Sequence, residues 1–210
     1  MASRNMIDGD LVVTGNVQVG GSLLPPLSRA SLNQEDFAEF PVPVTGWRVF
    51  DAFATSLGAA GNDDLGVTAG TWGTGAPFIT AGDLKTAGAT TRRARCLVQL
   101  PPTYVAGQSV RLEVTAGMVT TAADGSCTVD LEVFKLDEDA TVGGSDLVTT
   151  SAASINSTTF AAKNFDLTST ALLPGDILDV RLSVTCTDTA TVTAVDPAVA
   201  CVKLLCDTKG

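Results

Sequence analysis

The chain has 210 residues, 45% of them hydrophobic and 17% charged, and its 23 acidic against 13 basic side chains leave a net charge of -10. That length holds one generous domain, or one domain with an arm, and the apolar share sets the chain apart from disordered sequences. With no run of Lys or Arg to neutralise phosphates, the composition argues against a nucleic-acid partner, and no stretch of about 20 apolar residues could span a membrane.

The opening MASRNMIDGD carries no apolar core of a secretory signal, so folding in a cytoplasm is expected. A six-residue repeat follows. Gly9, Gly15 and Gly21 each precede a small polar residue and then Leu or Val, in GDLVVTGNVQVGGSL. The β-branched residues favour extended chain, and the glycines permit tight turns or close backbone approach. A solenoid needs about three copies or more before it buries a core. Two and a half copies suffice only if several identical chains share one prism, so the repeat predicts an assembly arm over residues 1–24, closed in a homotrimer through Leu11, Val13, Val17, Val19 and Leu23. At roughly 25 cal/mol per Å² of apolar surface, a few such residues per chain would supply several kcal/mol. The alternative is an ordinary β-hairpin lying on its own domain.

Residues 25–45 contain Pro25, Pro26, Pro41 and Pro43, which oppose regular structure. They predict a Pro-rich linker, with one short helix in SLNQEDFAEF capped by Ser31 or Asn33. From residue 46 to 210 the pattern is β. Ala94, Cys96, Val98 and Leu100 alternate with Arg93, Arg95 and Gln99; Val110, Leu112 and Val114 alternate with Arg111 and Glu113. Cys127, Val129, Leu131 and Val133 share a face, as do Leu178, Val180, Leu182, Val184 and Cys186, and then Val202, Leu204 and Cys206. Period-two alternation with one wet face marks antiparallel sheet, and turn clusters between short runs mark a sandwich. The expected fold is therefore all-β: an antiparallel, jelly-roll-like β-sandwich preceded by the arm and linker. Val-Arg-Leu-x-Val-Thr occurs at 110–115 and again at 180–185, as corresponding strands of two sheets or two Greek keys would.

Chemistry is sparse. The chain has no histidine, which removes Ser-His-Asp and Cys-His catalysis and most zinc sites. The five cysteines, Cys96, Cys127, Cys186, Cys201 and Cys206, read as small buried hydrophobes of a reducing compartment. Asp63, Asp64, Asp137, Glu138 and Asp139 sit in acidic loops that match no calcium-loop spacing. No catalytic residue, metal or cofactor is expected, and enzymatic activity is not predicted. Arg92, Arg93 and Arg95 form the one basic cluster, either a solvated strand face or a docking patch for an acidic neighbour. Trp47, Trp72 and Tyr104 offer a thin platform for sugar stacking, and Asn156 heads a formal glycosylation sequon.

IDGDLVVTGNVQVGGSL resembles the Gly-x-Leu/Val repeats near fibre and appendage attachment points of tailed-bacteriophage virions. NDDLGVTAGTWGTGAPFI, RCLVQLPPTYVAGQSVRLEVTAGM, LLPGDILDVRLSVT and LLCDTKG are similar in phrase to β-rich phage structural modules. The resemblance implies a virion surface protein made in the host cytoplasm. It would be a capsid decoration or head-fibre protein that trimerises and grips the major capsid protein or another virion protein. The alternative is a tail-fibre module that binds a receptor or a host-surface glycan.

Overall fold

A computed structural model describes residues 17–19, 22–24, 38–136, 144–189 and 193–209. The chain divides into two compact units, Met1–Asp36 and Phe37–Gly210. In the first, β1 (Val17–Val19) and β2 (Ser22–Leu24) pair antiparallel, with Val17 opposite Leu24 and Val19 opposite Ser22. Gly20 and Gly21, between these strands in the sequence, lie outside the described residues. Gly9, Leu11, Val13, Gly15 and Gly21, which the trimeric arm also invokes, lie outside the described residues.

The second unit is the sandwich. Its strands are β3 (Ala38–Pro41), β4 (Arg48–Val49), β5 (Gly66–Thr68), β6 (Phe78–Thr80), β7 (Gly88–Gln99), β8 (Val110–Met118), β9 (Ser126–Leu136), β10 (Ala153–Ser154), β11 (Ala161–Asp166), β12 (Ile177–Asp188) and β13 (Pro197–Cys206). One sheet has the order β10-β9-β12-β7-β4; the other runs β11-β8-β13-β6-β5, with β3 also paired to β13. All these pairings are antiparallel. From β7 to β9, and again from β11 to β13, the chain alternates between the sheets, so sequence neighbours face each other across the core. This is the jelly-roll habit expected of the alternating pattern. The echoed segments fall on β8 and β12, one in each sheet.

The inward faces read from the sequence form the core, while Asp179 on the outward face of β12 is buried as well. Leu112, Val114, Val129, Val133, Leu178, Val180 and Leu204 are all at most 0% exposed, and Ala94, Cys96 and Val202 are buried with them. Val98 is half-buried against the same core. The ends are closed by larger side chains. Trp47 and Tyr104 are fully buried, and the Tyr104 hydroxyl donates to the Gln108 carbonyl at 2.6 Å, which supplies the partner that a buried phenol needs. The turn into β12 is built by Gly175, whose φ of 88° favours glycine. There Leu173 N donates to Asp176 Oδ2 at 2.8 Å. No helix among the described residues is long and apolar enough to cross a membrane.

Three expectations need correction. Residues 38–41 are not helical: β3 pairs with β13, Ala38 opposite Cys206 and Pro41 opposite Lys203, so a free sheet edge outweighs the helix propensity of FAEF. Residues 31–37 of that expected helix lie outside the described residues. Cys127 and Cys186 are not free thiols but a disulfide. They are directly opposed in the β9–β12 register, and both are buried. Cys96, Cys201 and Cys206 remain free. Finally, Trp47 and Tyr104 are core residues and offer nothing to a sugar, whereas Trp72 stands fully exposed.

Candidate ligand-binding groove on the outer sheet face

Strand order decides which polar side chains meet. On the outward face of β9, β12 and β7 the register aligns Asp130, Ser183 and Arg93 in one row. Glu132, Arg181 and Arg95 form the next row on one side, joined by Arg48 from β4. Thr128, Thr185 and Thr91 form the row on the other side, where the hydroxyls of Thr91 and Thr185 lie 2.8 Å apart. Phe50, just after β4, closes the end. From these rows Thr91, Thr185, Arg93, Ser183, Asp130, Glu132 and Arg181 line a groove of about 240 Å³. It is smaller and much more polar than the apolar clefts that hold drug-like molecules.

The groove's wall is an internally neutralised network. Asp179 lies on the outward side of β12 yet is 1% exposed. Arg95 grips it with both arms of its guanidinium, Nε to Oδ1 at 3.1 Å and Nη2 to Oδ2 at 2.5 Å. Arg181 donates from Nε to Asp179 Oδ2 at 3.0 Å and reaches Glu132 at 3.6 Å. Aromatic rings cover the cations: Arg95 sits 5.0 Å from the Phe53 centroid and Arg181 sits 4.1 Å from that of Phe134. A buried carboxylate with two guanidiniums and π faces around them is a rigid support, because each charge has a partner and each cation a ring.

Arg93 and Asp130 stand outside that network. Arg93 is exposed, and among the described residues its side chain makes no hydrogen bond or ion pair. Among the described residues Asp130 accepts from the amide of Leu131, at 3.0 Å. Burial pushes the Asp130 carboxyl above its ordinary range, helped by repulsion from Asp146 and Glu132 and opposed by the Leu131 hydrogen bond.

The basic cluster expected at 92, 93 and 95 therefore splits three ways. Arg92 turns away from the groove, its side chain donating to the carbonyls of Ala81 and Asn62 and fastening two loops. Arg95 is consumed by Asp179. Arg93 alone is available for docking. Asp63 and Asp64 lie in the Gly61–Asp64 turn, in which Asn62 has a φ of 48°. Backbone hydrogen bonds from Arg93 N to Asp63 O and from Leu65 N to Arg93 O tie that turn to β7. Asp137, Glu138 and Asp139 lie outside the described residues. Asn156 clamps the backbone of Ala123 through two hydrogen bonds, at 2.7 and 3.0 Å, which gives its side chain a structural task. Among the described residues no group of three or more His, Cys, Asp or Glu side chains converges as a metal site would.

No protein-family model and no curated protein matches the chain. Several solved structures are similar in fold. TmCBM61 in complex with β-1,4-galactotriose has a TM-score of 0.42 at 12% identity, over 78% of this chain and 90% of that one. The CBM22-1 xylan-binding domain of Paenibacillus barcinonensis Xyn10C has a TM-score of 0.41 at 12% identity, over 83% and 97%. The xylan-binding module CBM15 has a TM-score of 0.42 at 11% identity, over 83% and 100%. At these TM-scores and identities no residue role passes from those proteins to this chain.

Proposed function

We propose that this chain is a non-enzymatic binding module whose sandwich holds carbohydrate in the groove of the β10-β9-β12-β7-β4 sheet, and whose amino-terminal repeat joins it to a larger assembly. The observation that carries this reading is the groove floor itself. Ser183, Thr185, Thr91, Asp130 and Arg93 set hydroxyls, an acceptor and a donor side by side. That array matches a ligand dense in hydroxyl groups, and Phe50 offers a ring at one end. Asp130 and Glu132 occupy alternate positions of one strand, on one wall. Hydrolysis of a glycosidic bond needs two carboxyl groups flanking the bond, so binding without cleavage fits better. The test is a screen of immobilised glycans with the full chain and with Ser183→Trp, whose indole fills the groove. Binding that the substitution removes supports the reading; binding that survives it places the ligand elsewhere.

A second reading concerns where the module works. The Gly9, Gly15, Gly21 repeat and the resemblance in phrase to phage structural modules support a capsid decoration or head-fibre protein, trimeric through its arm and seated on a virion surface. Light scattering of the full chain and of a chain starting at Pro25 tests it. A trimer that becomes a monomer on deletion supports the arm as the assembly device, and two monomers count against it.

A further inference from the structure

The groove's charges identify its ligand more closely. Arg95, Arg181, Asp179 and Glu132 cancel among themselves, two cations against two anions. Arg48, beyond Arg95 on β4, donates to Ser56 and does not line the groove. Of the charged residues that line it, what remains is Arg93 on β7 and Asp130 on β9, opposite in sign and separated by Ser183 on β12. Neighbouring strands lie about 4.8 Å apart, so the two backbones are about 10 Å apart with the hydroxyl between them. The network also stiffens the wall beside Arg93, because Arg95 and Arg181 are held by Asp179 and by rings and cannot swing over to compete for the ligand.

We infer that the groove selects sugar acids: a ligand carboxylate is gripped by the Arg93 guanidinium, while neighbouring ring hydroxyls donate to Asp130 and bond to Ser183. This rests on the carbohydrate reading above and adds the chemical class. A guanidinium presents two parallel N–H donors that fit the two oxygens of a carboxylate, and such charge-assisted pairs are the strong ones. The chain's net charge of -10 does not oppose this. Screening over about 8 Å at physiological ionic strength makes the charges lining the groove the ones that count. Asp130 sits at the far side of the row, where it meets hydroxyls rather than the acid group.

The test titrates the full chain with oligogalacturonate, its methyl ester, a neutral galactan oligomer and dextran sulfate. The free acid is expected to bind about tenfold or more tightly than its ester, the value of one charge-assisted hydrogen-bonded pair. Arg93→Ala should abolish that preference, bringing the affinities of acid and ester level with each other, and Arg93→Lys should retain part of it. Arg93 is exposed, so both variants should keep the wild-type unfolding midpoint. Equal binding of acid and ester overturns the sugar-acid assignment alone and leaves the carbohydrate reading standing. Dextran sulfate competing as well as the uronate overturns the carboxylate in favour of a general anion. No binding by acid, ester or neutral oligomer overturns both.

Discussion

Asp179→Ala is the sharpest perturbation of the supporting wall. The carboxylate is 1% exposed and receives three guanidinium hydrogen bonds, two from Arg95 and one from Arg181. Those arginine side chains are themselves 25% and 30% exposed, so neither recovers full hydration when the partner is removed. Arg181 keeps the 3.6 Å contact with Glu132 and the rings of Phe134 and Phe50, and Arg95 keeps the rings of Phe50 and Phe53, so neither guanidinium keeps a close carboxylate. Removing one partner of a buried pair costs about 3–5 kcal/mol, because an uncompensated charge stays behind. For a domain of this size that corresponds to a drop of about 6–20 °C in Tm. Guanidinium-induced unfolding reads the loss as a lower midpoint at unchanged slope. The double variant Asp179→Ala/Arg95→Met leaves fewer unpaired charges, and it should be more stable than Asp179→Ala alone. A single variant within about 0.5 kcal/mol of wild type would refute the reasoning, since ordinary surface changes fall in that range.

Other outcomes follow from the same structure. The Cys127–Cys186 disulfide spans 59 residues, so reducing the unfolded chain should lower stability by about 4 kcal/mol by loop entropy, and thiol titration in denaturant should find three thiols rather than five. Gly66→Ala should cost about 1–3 kcal/mol by overpacking, because its Cβ would lie 2.1 Å from the backbone nitrogen of Ala60; an unchanged midpoint would show that the β5 entry yields. Asp130 has a folded-state pKa raised above its ordinary 3.8, so the native state binds more protons there and stability falls as pH rises through that window. Asp130→Asn should therefore raise Tm at pH 7, with the gain fading below pH 3.8; a gain that persists in acid would contradict it. Trp72→Ala should leave both the unfolding midpoint and groove binding unchanged, because that ring is fully exposed and is not among the groove's residues.

Where strands alternate strictly, the sequence was sufficient to place side chains. Ala94 and Cys96 point inward and Arg93 and Arg95 outward because β7 keeps a two-residue period along a half-buried sheet. Partner strands carry no such signal. Cys127 and Cys186 meet only because β9 and β12 are neighbours, and Asp130, Ser183 and Arg93 form a row only through that order. The outward face of β12 hid another feature. Asp179 reads there as a wet carboxylate, yet Arg95, Arg181 and the rings around them bury it. Trp47 and Trp72 sit in short, turn-rich segments with no period, and their opposite fates, buried and exposed, had no local cue. FAEF was misread because helix propensity is local, while the β3 pairing reaches across the chain to β13.

The most direct test of the central claim is a residue-resolved NMR titration of the full chain with an oligogalacturonate series. The account predicts that amide shifts concentrate on Thr91, Arg93, Asp130, Ser183 and Thr185 and disappear in Ser183→Trp. Shifts centred on Trp72, or an unchanged spectrum at saturating sugar, would contradict a carbohydrate groove on this sheet.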